Sequence, residues 1–156
     1  VYLIGFKLGS FGESISHNRE VLTALLEVLV GINVAIMRAQ MGKPDEIPLL
    51  YESGMRYRRE SIGQEDWCDV TELIRLGFGD CEDLACWRAA ELRVRFGDPS
   101  ARAFVKGPRK LPGGVMMYHI QVQNGRGGIE DPSLVLGMGR NRDRGTATYR
   151  IRQKTA

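Results

Sequence analysis

The sequence predicts an α+β fold in which helices pack against a small antiparallel sheet. Three observations carry this reading. Apolar residues recur at helical spacing as far as Phe96, the period changes to two from Ala101 onward, and Asn124-Gly125 stands between alternating segments as a hairpin signal. Helices followed by strands, without a repeating βαβ order, make a segregated α+β layout. At 156 residues and 17.5 kDa the chain has the size of one domain, with no internal repeat and no linker composition. The expectation is a single domain over residues 1–156, carrying an N-terminal arm over 1–12 and a basic tail over 137–156.

The opening VYLIGFKLGSFG alternates briefly around Gly5 and Gly9, as an edge strand or an arm lying on another surface would. Ser16 and Asn18 are plausible caps for a helix over residues 19–40. Its spacing places Val21, Leu22, Leu25, Leu26, Leu29, Ile32, Ile36 and Met37 toward a core, with Gly31 as a point of bending. Gly42-Lys43-Pro44 ends that helix, and Pro48 and Gly54 make residues 47–59 an irregular aromatic connector with a helical turn. Residues 64–76 predict a short helix with Trp67, Val70, Leu73 and Ile74 inward, closed by Gly77 and Gly79.

The next helix is marked more strongly. Asp80 can cap it, Asp83 falls at its third position, and Cys81, Leu84, Ala85, Leu92 and Phe96 form its apolar stripe before Gly97-Asp98-Pro99. Alternation then predicts strands over residues 101–105, 115–123, 129–131 and 146–151.

A composition of 43% hydrophobic and 26% charged residues excludes a fibrous or wholly disordered chain. The longest apolar stretch, residues 25–37, is broken by Glu27, Gly31 and Asn33 and falls short of the roughly 20 residues that cross a bilayer. No membrane is therefore expected as a partner, and residues 2–12 lack the pattern of a signal peptide. Formal charge is +3, but six Arg/Lys and one Asp lie from Gly137 onward, which leaves a net −2 on the rest. That tail, with Tyr149 as a stacking ring, is a modest footprint for nucleic acid, for docking on a partner protein, or simply for a solvated terminus.

Three cysteines, Cys68, Cys81 and Cys86, cannot all pair, and none forms a CxxC, so free thiols and no metal site are expected. Cys81 would sit in the first turn of its helix, where unpaired N–H groups favour a thiolate. His119 lies inside the strand segment YHIQV, and Asp131 precedes Pro132 just after the hairpin. A cysteine, an imidazole that takes its proton and a carboxylate that orients the imidazole make a nucleophilic triad. Each residue alone also has an ordinary reading: a small core hydrophobe, a satisfied strand histidine and a turn aspartate. Asp80, Glu82 and Asp83 point in different directions on a helix, so capping explains them better than metal binding, and their charge opposes a thiolate. The glycines at 113–114 and 125–128 lack the strand-loop-helix context of a nucleotide site, and no cofactor is expected. Residues 106–114, with Lys106, Arg109 and Lys110, would form a rim near His119 or a plain solvated loop.

The run GFGDCEDLACWRAAELRVRFG, followed by ARAFV, YHIQV and GGIEDPS, resembles the transglutaminase-like branch of the papain-type cysteine fold, in particular small proteins of tailed phages and prophages. The upstream PLLYESGMRYRRE and QEDWCDVTELIRLG are similar to the region preceding the motif in such proteins. The resemblance spans residues 47–138. It implies Cys81 as nucleophile, His119 as base and Asp131 as orienting acid, acting on a protein or peptide substrate through a thioester. The Cys81 N–H would be one oxyanion donor, with Tyr57, Trp67 or nearby main chain as candidates for the second, and Trp87 as packing. Arg102 would brace the sheet by pairing with a carboxylate. Peptidase, amidase or acyltransferase activity is the first expectation; the alternative is a virion structural or assembly protein that binds other phage subunits. Either would act in the host cytoplasm during assembly, and the second would enter the virion.

Overall fold

The computed structural model describes residues 15–60, 66–110 and 116–139. The arm expected over 1–12, the strand expected over 146–151 and all of the basic tail beyond residue 139 lie outside the described residues. The elements are α1 (Ile15–Gln40), a 3-10 turn (Leu50–Glu52), β1 (Arg56–Tyr57), α2 (Val70–Leu76), β2 (Phe78–Gly79), α3 (Cys81–Arg95), β3 (Arg102–Lys110), β4 (Met116–Gln123), β5 (Ile129–Glu130) and α4 (Pro132–Val135). The fold is α+β, with an antiparallel sheet in the order β3-β4-β5. A two-residue parallel pair, β1 with β2, was not foreseen; it joins Arg56 to Phe78 and Tyr57 to Gly79 in register.

Helix α3 is the hub. Leu84, Ala85, Cys86, Trp87, Ala89 and Ala90 are fully buried where α3 packs against α1 and against β3 and β4, and α1 itself also packs on β3. From α1 come Leu26, Leu29, Val30 and Met37, and from the sheet Ala103, Val105, Ile120 and Val122. This alternation on β4 sends Ile120 and Val122 into the core and leaves His119 and Gln121 for the other face.

Several expected core positions are corrected. Ile32 in α1 is 40% exposed, Ile74 in α2 is 42% exposed, and Phe96, beyond the last turn of α3, is 56% exposed. Helix α1 has apolar residues on both faces, so periodicity finds the helix without choosing its inner side. The chosen side includes Asn33, whose Oδ1 accepts the Val70 N–H at 2.9 Å and ties α1 to the start of α2. Helix α1 is continuous from Ile15 to Gln40 through Gly31. Helix α2 starts later than expected because Asp69 caps it, accepting from the N–H groups of Thr71 and Glu72 at 2.8 and 3.2 Å. The helix over residues 18–40 is also long and apolar enough, by length and composition, to cross a bilayer, its most apolar 18-residue window having a mean hydropathy of 1.9. This overturns the expectation that no segment is, although the inner face of that helix is the core described above.

Strand β3 is longer than expected, running to Lys110, and a register shift between Lys106 and Arg109 is made at Gly107, whose φ is 106°. Lys106 stands opposite His119. Beyond the turn at Asn124, β5 pairs Glu130 with Val122, and the chain delivers Asp131 beside β4. Residues 111–114 of the expected rim lie outside the described residues.

Candidate active site

The site is assembled where the N-terminus of α3 meets β4. Gly79 precedes it because the backbone there lies too close to its neighbours for a side chain: a Cβ would stand 2.9 Å from Leu73 Cδ2 and 3.1 Å from Asp83 Cβ. Asp80 is the N-cap of α3. Asp83 reaches back, Oδ2 accepting the Asp80 N–H at 3.4 Å and Oδ1 accepting the Cys68 N–H at 2.9 Å. The expected cap therefore exists, and it also fastens the chain segment before α2 to the start of α3. Cys81 follows as the first residue of α3 and is half-buried.

His119 and Asp131 are in direct contact, with Nε2 2.7 Å from Asp131 Oδ2. Gln121 donates to the same oxygen from Nε2 at 2.9 Å, and the Leu134 N–H donates to Oδ1 at 3.2 Å, making Asp131 the N-cap of α4. Burial works against charge on Asp131, yet the hydrogen bonds from Gln121 and His119 outweigh it and hold the carboxyl below its ordinary value. A carboxylate fixed on Nε2 leaves Nδ1 as the nitrogen that can exchange a proton with a nucleophile. Gln121 was missed in the sequence. It lies two residues after His119, hence on the same face of β4, and that spacing was the available signal.

The thiol of Cys81 makes two hydrogen bonds: with Glu82 Oε2 at 3.2 Å and with the main chain of Ile120, the residue next to His119. The structure thus brings His119 and Asp131 together, whereas the side-chain partner of Cys81 is Glu82 and not His119. The expected thiolate is corrected. Burial pushes the thiol well above its ordinary pKa, and Glu82 and Asp80 push it further, so the resting group is a neutral thiol in spite of the helix terminus. Burial and the neighbouring Asp80 likewise raise Glu82 far above the carboxylate range and lift Asp83 to about 8. Tyr57 lies close enough to Cys81 for the two to interact; burial first, and then the charge Cys81 would carry, raise its phenol.

The remaining predicted residues take structural places. Trp87 is fully buried in the core. Arg102 does brace the sheet, but its partner is an amide and not a carboxylate: Nε and Nη2 donate to Gln123 Oε1 at 3.2 and 2.7 Å, across the β3-β4 register pair. Cys68 and Cys86 are free thiols, the first pushed up to about 12 by burial and nearby carboxylates, the second raised by complete burial. Asp80, Glu82 and Asp83 do not converge on a cation, and no other group among the described residues does. Two open cavities, of about 470 and 300 Å³, are lined by Glu46 to Leu49 with Arg95 and Phe96, and by Ser100, Arg102, Gln123, Asn124, Gly125 and Gly127; neither is lined by Cys81, His119 or Asp131.

No family model matches this chain, and neither curated proteins nor solved structures yield a match to it.

Proposed function

We propose that the chain is a transglutaminase-like cysteine hydrolase or acyltransferase of the phage-associated kind its motifs resemble, acting on an amide or ester carbonyl of a protein or peptide. The observation that carries this reading is the His119–Asp131 pair at 2.7 Å on the strand whose next residue, Ile120, hydrogen-bonds Cys81. In the forward step His119 Nδ1 takes the thiol proton as Sγ forms a bond to the carbonyl carbon. The tetrahedral intermediate then expels the amine or alcohol, which receives that proton from His119, and leaves a thioester. Water or an amine attacks the thioester, His119 takes its proton, and the proton returns to Sγ as the thiol leaves. Asp131 holds the ring orientation and offsets the imidazolium charge throughout. The neutral resting thiol makes proton transfer to His119 part of the attack, and the thiol must exchange its Glu82 hydrogen bond for one to the imidazole.

Alkylation by iodoacetamide, followed by peptide mass spectrometry across pH, tests this. Cys68 and Cys86 are internal references, because burial and carboxylates keep both as thiols at neutral pH. Labelling of Cys81 faster than both is expected in the native protein, with a pH midpoint above the ordinary thiol pKa of about 8.5 because the resting group is a neutral thiol, and that advantage is lost in His119→Ala. Labelling indifferent to His119 would remove the enzyme reading.

A second reading has its own support: the thiol is raised by burial, and neither cavity described above includes a triad residue. Under it the chain is a virion structural or assembly protein that uses the same fold as a binding scaffold for other phage subunits.

A further inference from the structure

The outer face of α1 has no partner among the described residues. Ala24, Val28, Gly31, Ile32, Ala35 and Ala39 are all exposed and fall within a sector of about 100° on the helix, opposite the stripe that Leu26, Val30 and Met37 send into the core. At 1.5 Å per residue this band is about 22 Å long. Only 28% of the most apolar window of α1 is buried. Gly31 adds a separate observation: a Cβ there would meet nothing within 4 Å, so no contact among the described residues accounts for a glycine in mid-helix, where it weakens the helix. Small residues along a helix let a second backbone approach closely.

The charges beside the band specify the occupant. Glu20 and Arg38 lie on one flank of it, both exposed, and neither forms an ion pair among the described residues. Each is nine residues from Leu29, one on either side. A two-fold axis passing beside Leu29, perpendicular to the helix, brings a second α1 antiparallel and places Glu20 of each copy level with Arg38 of the other, on the same side of the interface. Glu27, on that flank too, is already neutralised by Arg93, which donates to it at 2.6 and 2.9 Å. A parallel pair would put these flanks on opposite sides and lose the match. A lipid surface fits less well, because the opposite face of α1 is locked into the core and the flanks carry both signs of charge where a membrane-bound helix carries an excess of Lys and Arg.

We infer that the outer face of α1 docks a second copy of this chain as an antiparallel two-fold dimer, closed by reciprocal Glu20–Arg38 ion pairs. The inference is independent of the chemistry at Cys81.

Sedimentation velocity on the full chain over a concentration series tests it. The native protein is expected to reach a dimer at high micromolar concentration. Val28→Glu, at a position 52% exposed and outside the core, is expected to give a monomer with unchanged far-UV circular dichroism. Glu20→Arg and Arg38→Glu, each alone, weaken association by about tenfold, and the double variant restores it. A monomeric native protein overturns the inference, as does a dimer indifferent to Val28→Glu. Failure of the double variant to recover overturns the antiparallel pairing. Co-sedimentation of a monomer with phosphatidylglycerol vesicles would assign the face to lipid instead, and a dimer that forms only after removal of residues 1–12 would assign it to that arm; both overturn the inference.

Discussion

The two ends of α3 treat buried carboxyls in opposite ways. Toward its middle and C-terminal half, Glu91 is only 1% exposed, yet it accepts the Leu50 N–H at 2.7 Å and is paired with Arg88. Arg88 in turn donates from Nε to Glu130 at 2.9 Å, and the Tyr51 hydroxyl donates to the same Glu130 oxygen. One guanidinium thus joins α3 to the 3-10 turn and to β5. At the N-terminal end, Glu82 and Asp83 are as well buried, but burial and then the neighbouring Asp80 raise both, and both are driven toward their protonated forms. A paired buried charge holds elements together. Carboxyls crowded against one another and against a thiol store an unfavourable arrangement, and perturbed groups of that kind gather where chemistry is carried out.

The largest effect is expected at the paired end. Arg88→Met leaves the buried Glu91 and the partly exposed Glu130 without their shared cation, and the charge stranded on Glu91 should destabilise the fold by about 3 to 5 kcal/mol in urea denaturation. Adding Glu91→Gln should recover part of that loss, because the amide oxygen still accepts from Leu50 while the stranded charge is gone. Full loss in both variants would mean that Arg88 acts through packing on the Tyr51 and Phe96 rings, which it approaches at 5.1 and 5.3 Å, and the contrast between the two ends would weaken.

Next in size is a pH effect at the crowded end. Asp83 is lifted from an ordinary 3.8 to about 8 in the folded protein. Between those values the folded chain binds a proton that the unfolded chain has released, so this group's contribution is complete below pH 3.8 and is lost as pH rises through about 8. Stability should therefore fall from pH 4 toward pH 8, and Asp83→Asn should flatten that slope while keeping an acceptor for one of the two N–H groups. Glu82 is shifted in the same direction and leaves a residual slope. Asp131 has the opposite sign: its carboxyl is lowered, so its contribution is present above the ordinary value and disappears as pH falls below it. Urea midpoints measured across pH in the two proteins check this; an unchanged slope would show that Asp83 is not the group responsible.

How much of this was legible differs with the range of the interaction. Local signals located α3, its cap at Asp80, the β3-β4-β5 hairpin order and the placement of His119 near Asp131, because capping, period and turn chemistry act over a few residues. The inward side of α1 was not legible: Ile32 and Leu26 are equally apolar, and only packing against α3 separates them. The protonation of Cys81 was misjudged for a related reason. The helix N-terminus favours a thiolate wherever it lies, but desolvation depends on what α3 is packed against, and β4, which supplies the Ile120 contact, is remote in sequence. Asn33 reads as a blemish in an apolar helix until Val70 is known to lie opposite it.

The smallest expected effect separates the causes acting on the thiol itself. Glu82→Gln removes the nearest carboxyl from Cys81 while keeping the side chain's shape and its capacity to accept from the thiol at 3.2 Å. Burial comes before Glu82 among the causes that raise Cys81, and the substitution leaves it intact, so the pH midpoint of Cys81 alkylation should move downward only slightly. The direction matters more than the size. A downward shift with retained dependence on His119 would mean that the acidic turn restrains an otherwise competent nucleophile. An upward shift or none would place the restraint in desolvation alone, and the crowded end of α3 would then differ from the paired end in how its carboxyls are neutralised and not in what they do to the thiol.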